Sequence, residues 1–182
     1  MANLVSIDWD YLVDADSMKR LMSFPDGGEM SPMLDRIIWA THYATDSSLA
    51  DVGVLTSELD TIVEHLQGYS GPMMVANSHR YAYELFMDIA DGQPMGLINI
   101  DFHHDVYNDN EGLDCGNWVS RLFEDNPHPE NYYTWLGWPD SDVPSDEPSY
   151  MSTVTSMDSL VWPDRIDGVF IARSKHVVST AS

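Results

Sequence analysis

Apolar and polar positions along the chain predict strands that alternate with helices. Short apolar runs, several rich in β-branched residues, are typical of buried strands and occur at 3–9, 73–77, 96–101 and 168–173. Apolar residues spaced three and four positions apart are typical of amphipathic helices and occur at 33–43, 57–67, 79–90 and 117–124. This alternation predicts an α/β fold, with three α/β/α layers and a mostly parallel sheet.

The predicted helices carry further signals at their ends and on their faces. The segment at 57–67 opens with Ser-Glu-Leu-Asp, which has the pattern of a capping box, and Gly68 ends it. The dipeptide Asp91-Gly92 ends the helix at 79–90. The first helix places four apolar residues on one side, namely Leu34, Ile37, Ile38 and Ala40. The second carries Leu59, Ile62, Val63 and Leu66, and the residues predicted to face inward in the third are Tyr81, Leu85, Phe86 and Ile89.

Residues 125–163 differ in composition from the rest of the chain, with many Pro, Ser and Asp residues between aromatic ones. This composition predicts mostly loop and leaves room for a strand at 132–136. The sequence contains no internal repeat, and its 182 residues suit one domain of ordinary size. We therefore expect a single domain over 1–182.

Composition narrows the classes of function. The chain has 30 acidic and 8 basic residues, which give a formal net charge of −22. Such a charge repels phosphate backbones and anionic membrane surfaces, so we expect neither nucleic-acid nor membrane binding. The segment MANLVSIDWD lacks the regions of a signal peptide, and the single Cys115 excludes an internal disulfide framework. We therefore expect a cytoplasmic protein whose partner is neutral or cationic.

Side chains suited to metal binding follow three of the predicted strands. They are Asp8, Asp10, His79, Asp101, His103 and Asp105. The carboxyl ends of parallel strands meet at one edge of a sheet, and residues two apart in an extended segment point the same way. Clustered carboxylates repel one another unless cations or protons neutralise them. Oxygen donors with some imidazole suit Mn²⁺, so the sequence predicts a metal site at this edge.

Each motif alone has an ordinary structural explanation. A single Asp-x-Asp after a strand is often no more than a polar strand end, and a lone histidine such as His79 is often a satisfied surface residue. All three motifs fall at predicted strand ends of one sheet, and that combination favours a metal site. Four further histidines lack such a context and are interpreted as structural or solvated: His42, His65, His128 and His176.

Two strings of the sequence resemble metal-binding motifs of the ureohydrolase (arginase-like) superfamily. LINIDFHHDVYN is similar to its Asp-x-His-x-Asp motif, and VSIDWDYL is similar to its Asp-x-Asp motif. Their order resembles that of a branch which includes peptide arginases. VANSHRYAYELF is similar to the histidine-containing element between them, with Ser-His-Arg where the branch usually has His-His-Asp. The segment at 115–118 also resembles this branch, and the likeness covers about the first two-thirds of the chain.

The resemblance implies an arginase-like fold with two divalent metal ions, for which Mn²⁺ is the expected metal. One ion would be held by Asp8, His79, Asp101 and Asp105. The other would be held by Asp8, Asp10, Asp101 and His103, so that Asp8 and Asp101 bridge the two. The implied activity is hydrolysis of the guanidino group of arginine or peptidyl arginine. The nucleophile would be a hydroxide shared by the ions, which lower the pKa of bound water.

Residues near these motifs are candidates for the rest of the mechanism. His104 adjoins the third strand and is a candidate for proton transfer, with a packing role as the favoured alternative. Four further residues are candidates to line the entrance and bind a cationic substrate: Glu111, Asp114, Asn117 and Trp118.

Two other classes of function fit part of the sequence. Asp8 and Asp10 also resemble the catalytic pair of haloacid-dehalogenase-like phosphatases, in which the first aspartate is the nucleophile. That hypothesis leaves His79 and the Asp-x-His-x-Asp string unexplained. A third hypothesis is a metal-binding relative without catalytic activity, which would contain metal but hydrolyse no guanidino or amide substrate.

Overall fold

Parallel strands form the centre of the fold. The computed structural model describes residues 1–14, 16, 32–47, 53–107 and 112–173. The strands within these residues are β1 (Ala2–Asp8), β2 (Met73–Ala76), β3 (Met95–Ile100), β4 (Tyr132–Leu136), β5 (Met151–Val154) and β6 (Gly168–Ala172). They form one sheet in the order β2-β6-β1-β3-β4-β5, and every neighbouring pair is parallel.

Helices precede or follow most of these strands. The α-helices within the described residues include α1 (Pro32–Thr45), α2 (Thr56–Leu66), α3 (Arg80–Ala90) and α4 (Trp118–Asp125). Two short 3-10 helices lie at Trp9–Leu12 and Met157–Ser159. Among the described residues, no helix combines the length and the apolar character needed to cross a bilayer.

Each face of the sheet packs into its own apolar cluster, because neighbouring residues of a strand point to opposite faces. On one face, Leu97 of β3 belongs to a buried cluster with Phe86 of α3 and Leu122 of α4. On the other face, Ile98 of β3 belongs to a second cluster with Ile62 of α2. The sheet therefore lies between helices on both sides, which confirms the predicted α/β fold.

The chain leaves β1 and β3 in opposite directions. From β1 it continues to β2, which lies beyond β6, and from β3 it continues to β4 on the other side. β1 and β3 are adjacent, paired from Ala2 with Met95 to Ile7 with Ile100. In open parallel sheets a crevice forms at the carboxyl ends of such a strand pair, and ligands bind there. The residues that follow β1 and β3 therefore occupy the favoured binding position of this fold.

The structure confirms the predicted strands, with small shifts at their ends, and adds β5. Residues 151–154 have the sequence MSTV and are only partly buried, and they lack the apolar run by which a buried strand such as β3 is identified. They pair with β4 in register from Tyr133 with Met151 to Leu136 with Val154. The loop predicted for this part of 125–163 is therefore wrong. Pairing with β4 stabilises a strand that the local sequence does not predict.

The inward face predicted for α3 is wrong at one position, because Tyr81 is exposed. Leu34 and Ile37 of α1 and Val63 of α2 are also exposed, although they belong to the apolar pattern of their helices. The capping box predicted for α2 is not formed, since the helix is preceded by Leu55, which makes no side-chain cap hydrogen bond. Spacing identifies the apolar positions of a helix, but their burial depends on which neighbouring element covers them.

Candidate metal centre

The carboxyl ends of β1, β2 and β3 bring three polar segments together. Asp8 is the last residue of β1, and Asp10 lies on the 3-10 helix that follows. His79 lies between β2 and α3, directly before the helix. Asp101 directly follows β3. The prediction that these strand ends share one edge of one parallel sheet is confirmed, with β6 between β2 and β1.

The inner group consists of His79 and the three carboxylates around it. Nδ1 of His79 lies 3.1 Å from Oδ2 of Asp101, and 3.3 Å from Oδ2 of both Asp8 and Asp105. The ligand atoms of Asp8, His79 and Asp101 all lie within 4.8 Å of one another, which allows one ion to contact all three. The inner group contains the four residues expected around the first ion.

The outer group consists of Asp10, Asp101 and His103. Nδ1 of His103 lies 3.4 Å from Oδ2 of Asp10 and 3.6 Å from Oδ1 of Asp101. Asp101 therefore belongs to both groups, through different oxygens. Asp8 groups with His79 through Oδ2, while its Oδ1 accepts the N–H of Asp10 at 3.1 Å. A bridging role for Asp8 stays a prediction.

Turns, rather than extended chain, bring the motif residues together. After β1 the backbone enters the 3-10 helix, so Asp8 and Asp10 are not two positions of one strand. After β3 it bends, and Oδ1 of Asp101 accepts the N–H of His103 at 2.8 Å. Asp105 has a left-handed backbone, with a φ of 55°. The predicted convergence is confirmed, but the predicted reason, alternation along extended segments, is wrong.

Burial and mutual repulsion oppose ionisation of three of the four carboxylates. Burial, together with the negative charge of Asp10, raises the pKa of Asp8 well above its usual value. Burial and the charge of Asp101 raise the pKa of Asp10 and, more strongly, that of Asp105. Burial also acts to raise the pKa of Asp101, but the positive charge of His79 outweighs it and lowers that pKa. Among the four carboxylates, Asp101 is therefore the one whose ionised form is favoured.

The histidines of both groups hold protons more tightly than an isolated imidazole. Burial acts to lower the pKa of His79, but the charge and hydrogen bond of Asp101 raise it. Burial likewise opposes protonation of His103, but hydrogen bonds to Asp10 and Asp101 raise its pKa to about 12. These protons neutralise part of the clustered negative charge, and a divalent cation can replace them between the same atoms.

The second ring nitrogen of His79 supports this assignment. Nε2 lies 3.0 Å from Oγ of the buried Ser6. When Nε2 carries the hydrogen and donates it to Ser6, Nδ1 keeps a lone pair that faces the three carboxylates. Metal-binding histidines usually donate their other N–H in this way, which fixes the tautomer and the ring orientation. The residues of the inner group therefore fit a divalent ion.

Chelation is expected to destabilise the protein, because an ion that binds only the folded state stabilises it by mass action. Mn²⁺ at about 100 times its Kd adds roughly 2.7 kcal/mol to the free energy of unfolding, which raises the Tm of a domain this size by roughly 5–10 °C. We expect EDTA to remove this gain, and Mn²⁺ to restore it more fully than Mg²⁺ because imidazole suits Mn²⁺. Differential scanning fluorimetry measures both shifts. Identical melting curves with chelator and with Mn²⁺ would contradict the metal site.

His104 is packed into the core beside the cluster. Its ring centroid lies 4.1 Å from that of Tyr107 and 5.7 Å from that of Trp135. Nδ1 accepts the N–H of Val106 at 3.1 Å. Burial and the positive charge of His103 lower the pKa of His104, which favours the neutral ring. These contacts favour the packing role, and proton transfer by His104 stays a prediction.

The residues predicted to line an entrance have other surroundings. Oδ1 of Asp114 accepts two N–H groups of the turn before α4, and Oδ1 of Asn117 accepts the N–H of Asp114 at 2.8 Å. Substrate binding by these two residues stays a prediction. Trp118 is fully buried and donates a hydrogen bond to Asp105, so its predicted place at an entrance is wrong. Glu111 lies outside the described residues.

Two polar residues beneath the cluster are not identified by the sequence motifs. Ser6 and Asn99 are fully buried and occupy paired positions on β1 and β3. Ser6 contacts His79, and Nδ2 of Asn99 lies 3.4 Å from Oδ2 of Asp101. Each precedes an acidic strand end by two residues and so shares its face of the sheet. A single polar residue at that spacing, within an apolar run, is the signal that identifies them.

Comparison with known proteins identifies no relative of this chain. No family model matches the chain, and no match was found among curated proteins or among solved structures. The functional assignment therefore depends on the residues of the site itself.

Proposed function

We propose that the protein is a binuclear metal hydrolase of the ureohydrolase type, which uses Mn²⁺ to hydrolyse the guanidino group of arginine or peptidyl arginine. The observation that carries the proposal is the position of Asp101. Its Oδ2 lies 3.1 Å from Nδ1 of His79, and its Oδ1 lies 3.6 Å from Nδ1 of His103. One carboxylate thus serves the inner and the outer group, as a bridging ligand of two ions does.

The donor set suits two ions of this kind. The inner group offers three carboxylates and one imidazole, and the outer group offers two carboxylates and one imidazole. Oxygen donors with a minority of imidazole suit Mn²⁺, and the four aspartates match the charge of two divalent cations. Bound ions of this kind lower the pKa of water, so that hydroxide is available near neutral pH.

The outer group is the accessible side of the cluster. The side chain of His103 is 42% exposed, whereas that of His79 is 3% exposed. The ring of Phe102 borders His103 at 5.2 Å between centroids, and Trp138 lies 6.1 Å from Phe102. Aromatic rings attract planar cations such as guanidinium, and nearby carboxylates add to that attraction. In the proposed reaction the substrate approaches the outer group, and Phe102 and Trp138 orient it.

Release of urea is the direct test of this activity. We expect protein loaded with Mn²⁺ to release urea from free arginine or from arginine-containing peptides, and metal-free protein to release none above background. Lysine and peptides with lysine in place of arginine are the matched controls, because they carry the same charge without a guanidino carbon. A colorimetric urea assay over a series of peptides identifies the preferred substrate.

Two outcomes would support the alternative functions instead. Tight Mn²⁺ binding without urea release from any arginine substrate would favour the non-catalytic metal-binding protein. Turnover of a phosphate ester would favour the phosphatase, in which Asp8 attacks phosphorus. The contacts of Asp8 favour a ligand over a nucleophile, since Oδ2 lies 3.3 Å from Nδ1 of His79 and Oδ1 accepts the N–H of Asp10.

A further inference from the structure

Trp118 contacts two members of the inner group from beneath. Its Nε1–H donates a 2.6 Å hydrogen bond to Oδ2 of Asp105. Its ring stacks on His79, with 5.5 Å between centroids and an interplanar angle of 28°. The same Oδ2 of Asp105 lies 3.3 Å from Nδ1 of His79. The indole N–H and the imidazole nitrogen therefore meet at one carboxylate oxygen.

The backbone of Asp105 is held by the same helix. The N–H of Val119, the residue after Trp118, donates to the carbonyl oxygen of Asp105 at 3.2 Å. Asp105 has a φ of 55°, in the left-handed region that residues with a side chain rarely adopt. Such a conformation persists only where surrounding contacts fix it. The start of α4 thus fixes Asp105 twice, through Val119 at its backbone and through Trp118 at its carboxylate.

We propose that Trp118 is a positioning residue for the inner metal ion, which acts by holding Oδ2 of Asp105 toward the ion. This role rests on the proposed binuclear centre and adds a residue outside its ligand set. This short hydrogen bond fixes the rotamer of Asp105, so less freedom is lost when the ion binds. Phe86 packs against the indole at 5.9 Å between centroids and keeps it in place.

Trp118→Phe tests the role because it removes the N–H donor and keeps a buried aromatic ring. We expect it to weaken Mn²⁺ binding to the inner group by about 10- to 100-fold, the usual cost of losing a partner of a metal ligand. Isothermal titration of His103→Ala, with and without Trp118→Phe, isolates the inner ion. Trp162→Phe is the matched control. The ring of Trp162 stacks on His65 and packs against the apolar cluster on the other face of the sheet, so this substitution should leave Mn²⁺ affinity unchanged.

A double-mutant cycle with Asp105→Ala separates positioning from packing. If the indole acts through Asp105, adding Trp118→Phe to Asp105→Ala changes Mn²⁺ affinity by less than about 2-fold, because the effects of coupled residues do not add. An equal loss in both backgrounds would overturn the proposal, as would unchanged affinity in Trp118→Phe. Wild-type protein that binds no Mn²⁺ would instead refute the proposed function, on which this inference depends.

A measurement on the wild-type protein covers the case in which Trp118→Phe does not fold. The indole ¹⁵N–H signal of Trp118 is assigned by nuclear Overhauser contacts with Phe86. We expect this signal to shift when Zn²⁺, a diamagnetic ion, is added to metal-free protein, and to respond much less in Asp105→Ala. A signal that does not shift when Zn²⁺ is added, or that shifts equally in the wild type and in Asp105→Ala, would overturn the proposal.

Discussion

Asp101→Asn is expected to abolish the binding of both metal ions and, with it, all metal-dependent hydrolysis. Asp101 lies 3.1 Å from the histidine of the inner group and 3.6 Å from that of the outer group, through separate oxygens. An amide of the same shape carries no charge, so both ions lose the negative charge of Asp101. It also presents an NH₂ group to one of the two positions, so one ion loses a ligand. We expect more than about a 100-fold loss of Mn²⁺ affinity, since even partners of ligands contribute about 10- to 100-fold. Metal analysis of the purified variant and isothermal titration measure it.

The matched control for Asp101→Asn is Asp146→Asn, which removes one carboxylate charge from an exposed position. It should keep the Mn²⁺ content and the activity of the wild type. Circular dichroism of both variants shows whether they are folded. A folded Asp101→Asn protein with full Mn²⁺ content would contradict the shared ligand and therefore the binuclear centre.

His103→Ala is expected to keep one ion and lose activity by orders of magnitude. His103 belongs to the outer group alone, while the inner group keeps His79 and its three carboxylates. Without the outer imidazole, the second ion and the water that it would activate would not be held in position, and small errors of position are costly in catalysis. Metal analysis should find about half of the wild-type Mn²⁺ per chain, and the urea assay should find activity near background.

His128→Ala is the matched control for His103→Ala, because Nε2 of His128 contacts the carbonyl oxygen of Gly92 and lies outside both groups. It should retain both ions and the activity of the wild type. In the phosphatase hypothesis, His103 does not touch the reacting phosphate. Wild-type turnover of a phosphate ester that survives His103→Ala would therefore replace the present proposal with that one.

The sequence predicted the layers of the fold because its buried strands are short apolar runs with clear ends. β3, with the sequence MGLINI, is buried along its whole length, and its apolar run identifies it as a strand. β5 is not, since it depends on pairing with β4 rather than on its own residues. The apolar spacing of α1 likewise identifies a helix but not a covered face, as the exposure of Leu34 and Ile37 shows. Local patterns identify elements, whereas the neighbours of an element decide what is covered.

The candidate ligands could be predicted because the carboxyl ends of parallel strands meet, whatever the turns that follow. The turns themselves could not be predicted. Asp10 lies on a 3-10 helix, and the backbone of Asp105 is in the left-handed region. The spacing of the motif residues indicates neither of these conformations. The sequence places Trp118 among the candidates for an entrance, whereas its indole is buried beneath Asp105. Which side chain supports a ligand is decided by packing between distant segments.

The position of β6 has a consequence for how the protein is made on the ribosome. All six candidate ligands lie between residues 8 and 105, so they are made before β6. β6, at Gly168–Ala172, is made much later, yet it lies between β1 and β2 and pairs with both. Until it arrives, the strand that leads to His79 lacks its neighbour in the sheet. We therefore expect the inner group to assemble only after β6 is made, and a substitution in that strand to impair the proposed metal loading of the newly made chain without touching a ligand.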